Sequence, residues 1–243
     1  MSSTEPTRAT PIVALDFGAP EDALALARRL GDACRFYKVG SELFTAAGPS
    51  VVEALLDEGA EVFLDLKFHD IPNTVAGAVR SAASLGASLL TVHASGGAAM
   101  LRAAQEEADA AAAKGRACRL LAVTVLTSFD AEALAATWGR PAVAVEQEVI
   151  RLAGEAAAAG LHGVVCSGAE AAAVRAAYGE RLALLVPGIR LAGGSSHDQR
   201  RVMTPAAAQA AGARYLILGR AVTAAADPRR AMATVLGELA ASA

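Results

Sequence analysis

Short apolar runs alternate with longer amphipathic stretches from one end of the 243-residue chain to the other. The runs at 12–16, 35–39, 61–67, 88–92, 119–126, 163–166, 182–186 and 214–218 read as strands. They are nearly continuous in apolar character, as strands buried on both faces of a parallel sheet must be. Between them, 19–30, 49–58, 73–85, 98–114, 143–159, 169–178 and 232–241 carry helical spacing. Several of these close on a glycine: Gly59, Gly86, Gly115 and Gly160. The segment 130–140, with the only tryptophan, is an insertion predicted to hold a short helix.

Eight strand-then-helix units in one chain of this length predict an α/β protein of a single (β/α)8 TIM barrel, spanning 11–243. An open doubly wound sheet would carry a phosphate-binding Gly-x-Gly-x-x-Gly after its first strand. The chain has Asp16-Phe17-Gly18-Ala19-Pro20 there instead. Residues 1–10 are polar and are expected to form a disordered tail, not a signal peptide.

Composition narrows the function classes. Apolar residues make up 54%, much of it alanine, so the helices are Ala-rich and the core is not unusually large. The net charge is −3 with no basic patch, which argues against a nucleic-acid partner but leaves small anionic ligands open. No apolar run suits a membrane span. Cys34, Cys118 and Cys166 are odd in number, far apart and without metal spacing. They are expected to be buried free thiols, pointing to a reducing, cytoplasmic compartment.

The most informative stretch is 62–74, VFLDLKFHDIPNT. It begins as an apolar strand and then sets Asp65, Lys67 and Asp70 within six positions. Alternation puts Asp65 and Lys67 on one side and Leu66 on the other. Such a pair is costly to desolvate and adds little to folding, so it points to chemistry. Pro72 suits the first turn of a helix. For Asp70 alone, a plain N-cap role is the competing reading. The strand ends elsewhere add Asp16, Lys38, His93, Thr127, Ser167, Arg190 and Arg220. In a barrel all of these converge on one mouth, where such enzymes work. Phosphate often binds after strands seven and eight. Here those loops are Pro187-Gly188-Ile189-Arg190 and Gly219-Arg220. Their glycines allow backbone N–H groups close to an anion, and arginine offers a planar fork to it. The loop 192–199 is small-sided and is expected to close over a ligand, with Gln199 reaching in.

Asp65-x-Lys67-x-x-Asp70-Ile71-x-x-Thr74 resembles the signature of the orotidine 5′-phosphate decarboxylase family. Asp16, Lys38, the segments 92–97 and 126–128, Pro187 to Arg190, Gln199, and Leu218-Gly219-Arg220 resemble it in order and spacing. The resemblance implies loss of CO₂ from C6 of orotidine 5′-phosphate, giving uridine 5′-phosphate in pyrimidine biosynthesis, with neither metal nor organic cofactor. It implies an alternating charged array of Lys38, Asp65, Lys67 and Asp70, with Lys67 as proton donor to C6. Asp70, Ile71 and Thr74 belong to the substrate site in this pattern. Asp70 and Thr74 are implied to reach the neighbouring subunit's site, so the active unit is expected to be a homodimer. Asp16 and Lys38 would hold ribose hydroxyls, and Thr127 would contact the pyrimidine. Pro187, Arg190, Gln199, Gly219 and Arg220 would gather at the phosphate end. His93 is read as packing behind the site and His69 as a bystander. The alternative is a Mg²⁺-dependent phosphosugar aldolase or decarboxylase on the same barrel, such as hexulose-phosphate synthase.

Overall fold

The computed structural model describes residues 8–191 and 203–242. Its elements run β1 (Thr10–Ala14), α1 (Pro20–Leu30), β2 (Phe36–Gly40), α2 (Ser41–Ala47), α3 (Ser50–Asp57), β3 (Glu61–Phe68), α4 (Pro72–Ser84), β4 (Leu89–His93) and α5 (Gly97–Ala112). They continue with β5 (Arg119–Val123), α6 (Ala131–Thr137), α7 (Val145–Ala158), β6 (Gly163–Val165), α8 (Gly168–Tyr178), β7 (Ala183–Val186), α9 (Pro205–Ala210), β8 (Ala213–Leu218), α10 (Arg220–Thr223) and α11 (Pro228–Ala241). All strand pairings are parallel, and β1 pairs with both β2 and β8, closing the eight strands into a barrel in sequence order. The predicted (β/α)8 architecture is the observed one.

Strand periodicity divides the core in two. Ile12, Ala14, Phe36, Phe63, Leu89, Leu121, Leu185, Tyr215 and Ile217 form one buried cluster, which fills the barrel lumen. Their neighbours along the strands, such as Val13, Tyr37, Val62, Leu64 and Leu90, join a larger cluster between barrel and helices. Each large side chain so buried contributes about 1.5–3 kcal/mol. The helices are fixed at their starts by short polar caps: Asp130, Ser167, Thr204 and Asp227 each accept a backbone N–H of the following turn. Ser167 thus has a capping role on α8.

Several boundaries differ from expectation. β1 starts at Thr10, with Ala9 buried beside it, so ordered chain begins inside the expected 1–10 tail. Residues 1–7 lie outside the described residues. The fifth strand stops at Val123, not residue 126, because its partner β6 is only three residues long and the ladder has nothing further to pair with. α2 follows directly on Gly40, where no strand-to-helix gap marks it in the sequence.

The N-terminal end of the barrel carries a pH-sensitive pair. His162 Nε2 lies 3.1 Å from the Tyr215 hydroxyl. Burial, reinforced by the positive charges of Arg119 and Arg214, pulls the imidazole down to about 4. In the unfolded chain it titrates near the ordinary 6.5. The unfolded state therefore takes up a proton first as pH falls, and stability should drop between about 6.5 and 4. Because the group is partly solvent-exposed, about 1–2 kcal/mol is expected, not the full unscreened effect. Urea unfolding midpoints at pH 7 and 4.5 should differ less in His162→Gln than in the parent chain.

Candidate active site

The lumen parity continues upward into a polar layer. Two residues beyond Ala14, Phe36, Phe63 and Leu89 come Asp16, Lys38, Asp65 and Thr91, on the same side of their strands. Asp16 and Lys38 make an ion pair of 2.7 Å. Lys38 Nζ is 3.7 Å from Asp65 Oδ2, and Lys67 Nζ is 2.8 Å from the same oxygen. The result is a line of alternating charge: Asp16, Lys38, Asp65, Lys67. Lys38 is buried, and the Asp65 side chain is only 13% exposed. Buried pairs of this kind do not improve folding over an apolar filling. The layer is thus better explained by what it can do to a ligand than by what it does for the barrel.

β3 departs from regular geometry at this point. Leu64 pairs with Leu90, but the next pairing is Phe68 with Val92, so the register shifts between them. The extra residues bulge out, and Lys67 takes φ 51°, the only left-handed non-glycine among the described residues. Its N–H donates to Thr91 Oγ1 at 2.9 Å, and the Thr91 hydroxyl donates to Asp65 Oδ1, also at 2.9 Å. Gly40 closes the other side. A Cβ there would stand 2.8 Å from Lys38 Nζ and 3.0 Å from Asp16 Oδ1, so only glycine leaves this ion pair undisturbed.

Asp70 is not part of the line within this chain. Its carboxylate accepts the Ile71 N–H at 2.6 Å, and it faces solvent. It does not cap α4: the N-cap is Ile71, with no side-chain hydrogen bond, and Pro72 opens the helix as expected. Ile71 is 67% exposed, and Thr74 is exposed on the first turn. Thr127 is half-buried in the loop after β5. His93 ends β4, its ring 5.3 Å from that of His69. Burial, with His69 and Lys67 nearby, holds its pKa below the ordinary value.

The corner after β7 is held by main chain. Arg190 N–H donates to the Met203 carbonyl at 2.8 Å, and Gly188 sits at φ 79°, where a side chain would be strained. Pro187 is half-buried, and Arg190 Nη1 donates to the Ile189 carbonyl at 3.0 Å. Gly219 N-caps α10, which Arg220 opens. Gln199 and the loop 192–199 lie outside the described residues. A cleft of about 1010 Å³ opens at the opposite end of the barrel, around Arg119, His162 and Arg214. It lacks any alternating charge line, so the chemistry is assigned by charge geometry and not by volume.

The family model for orotidine 5′-phosphate decarboxylase / HUMPS matches residues 10–235. The chain belongs to that family. An orotidine 5′-phosphate decarboxylase of Halorhodospira halophila is 53% identical over 233 residues, covering 95% of this chain and 96% of the relative. One of Nitrosococcus oceani is 50% identical, covering 94% and 96%. The crystal structure of orotidine 5′-phosphate decarboxylase from Lactobacillus acidophilus superposes with a TM-score of 0.85 at 36% identity, over 96% of this chain and 99% of that one.

Two residues that position the charged layer of this decarboxylase-family barrel were not among those singled out by sequence. Thr91 had a signal: it is the one polar side chain inside the apolar run 88–92 after Ser88, and it shares parity with Leu89 and His93. Gly40 had a weaker one, following Lys38 at the end of a strand.

Proposed function

We propose that this protein is an orotidine 5′-phosphate decarboxylase, forming uridine 5′-phosphate and CO₂. The observation that carries this reading is the pair of lysines on one buried carboxylate, Lys38 and Lys67 about Asp65 Oδ2. Breaking the C6–carboxylate bond leaves its electron pair on C6, in an orbital the ring π-system does not spread. Fixed positive charge must already stand beside it. Lys67 supplies that charge as an ammonium and then passes a proton from Nζ to C6, becoming neutral until solvent reprotonates it. Asp65 and Lys38 hold it in place. Asp65 Oδ2 is engaged by both ammonium groups and Oδ1 by the Thr91 hydroxyl, so positive charge is supplied here without a divalent cation. A Mg²⁺-dependent phosphosugar lyase would need those oxygens free to ligate.

In this proposal Asp16 and Lys38 bind the ribose, Thr127 the pyrimidine, and Pro187, Arg190, Gln199, Gly219 and Arg220 the phosphate end. Gly219 fits such a role. With φ −93° and ψ −123° it adopts a backbone conformation that side-chain-bearing residues disfavour, and a Cβ there would meet nothing among the described residues within 4 Å. The missing side chain leaves its backbone open to close approach by an anion. Phosphate binding lies far from C6, and its energy is available for ordering the reacting end.

The functional unit in this reading is a homodimer, Asp70 and Thr74 completing the neighbour's array. The exposed Ile71 between them supports it, being the most exposed large apolar side chain among the described residues. A reducing cytoplasmic setting fits three buried free thiols, with burial pushing Cys118 up to about 11 and Cys166 to about 12. The test is product analysis in D₂O. Orotidine 5′-phosphate should give equimolar uridine 5′-phosphate with one deuterium at C6. Intact substrate after prolonged incubation would refute the assignment.

A further inference from the structure

We infer that Thr91 is a positioning residue for decarboxylation, setting the reactive ammonium of Lys67 through a single hydroxyl that serves both the bulged backbone and Asp65. The inference rests on the decarboxylase reading and deepens it. The register shift between Leu64 and Phe68 removes the β3–β4 ladder pairing around Lys67. Without a substitute, the Lys67 N–H would be a lone donor beside a buried layer, which is destabilising. The Thr91 oxygen is that substitute, accepting the N–H at 2.9 Å. With its acceptor side so engaged, the hydroxyl proton is directed to Asp65 Oδ1 at 2.9 Å. The other carboxylate oxygen, Oδ2, is thereby turned to Lys67 Nζ at 2.8 Å.

Three bonds thus form one loop: backbone of Lys67 to Thr91, Thr91 to Asp65, Asp65 to the Lys67 ammonium. The loop fixes both ends of one side chain, whose main chain is held at φ 51°. A left-handed lysine persists only where its surroundings over-determine it. Thr91 is fully buried, lies on β4 between Leu89 and His93, and makes no approach to solvent. It therefore acts on the reaction only through its two partners. Losing the hydroxyl frees the bulge to relax and the carboxylate to rotate, which displaces Nζ from the C6 position.

The test compares Thr91→Val, nearly equal in shape but without the hydroxyl, with Thr91→Ser, which keeps it. Thr91→Val should lower kcat by about 10- to 100-fold, the scale of an ångström-level misplacement. KM should stay within about threefold, because the phosphate end is untouched. Thr91→Ser should recover kcat to within about threefold of the parent. If Thr91→Val does not fold, Thr91→Ala serves as the second hydroxyl-free variant with the same expected split. Parent-level kcat in a folded hydroxyl-free variant, a loss confined to KM, or equal kcat losses in Val and Ser would overturn the inference. An inactive parent enzyme would instead refute the decarboxylase reading, so the two failures are distinct.

Discussion

Lys67→Ala should lower kcat by about 10³- to 10⁴-fold, leaving KM for orotidine 5′-phosphate within an order of magnitude. The size follows from two losses at one atom. Removing a preorganised charge beside a developing anion costs about 10²–10³, and removing the proton donor costs about 10²–10⁴. Because both act on the same carbanion the losses are not multiplied, and the larger sets the scale. The barrel should survive the substitution. Asp65 keeps the Thr91 hydroxyl at 2.9 Å and Lys38 at 3.7 Å, so its carboxylate is not left unpartnered. Alanine inherits the left-handed backbone at this position, so no relief of strain offsets the lost side chain. Steady-state kinetics with far-UV circular dichroism on the same preparation checks both halves. Undiminished turnover would remove Lys67 from the mechanism while leaving the fold intact.

Mixed dimers of Lys67→Ala and Asp70→Asn subunits should regain activity that neither variant shows alone. In each hybrid, one site receives both lesions and the other receives none, if Asp70 serves the neighbouring subunit. With random pairing half the dimers are hybrids, so about a quarter of the parental activity should return. The expectation comes from the geometry around Asp70. Its carboxylate makes only a local contact, to the Ile71 N–H, and no ion pair within its own chain among the described residues. The charge line in this chain accordingly ends at Lys67, one acid short of the four-member array implied by sequence resemblance. Co-expression of the two variants with distinct tags gives the result: about a quarter of the parental activity in the unseparated mixture and about half in the purified hybrid. Activity no higher than the better single variant would place Asp70 in its own chain's site or outside the site altogether.

The barrel was legible because parallel strands covered on both faces must be apolar along their length, so each stands out as a run between helical stretches. The same rule made Lys38 and Asp65 conspicuous, since charge has no place in such a run without a purpose. Alternation correctly put Asp65 and Lys67 together: their 2.8 Å contact is on one side, and Leu66 packs on the other, against the helix-side core. The bulge at this point, with Lys67 in the left-handed region, is not legible. It depends on which residue of β4 lies opposite, and pairing register is a non-local property. Thr91 and Gly40 carry little signal for the same reason, as each matters only through the neighbour brought against it. α2 and α9 leave no mark in the sequence because seven and six residues are too few for helical periodicity to emerge. The fifth strand reads as longer than it is because Val125 is apolar and buried, though no ladder partner reaches it.

The most direct test of the central claim is the fall in orotidine 5′-phosphate absorbance with purified protein in excess EDTA. The charged layer supplies positive charge from Lys38 and Lys67, so conversion to uridine 5′-phosphate should proceed at the same rate with chelator as with added Mg²⁺. Conversion only when Mg²⁺ is restored, or no conversion under either condition, would contradict the account.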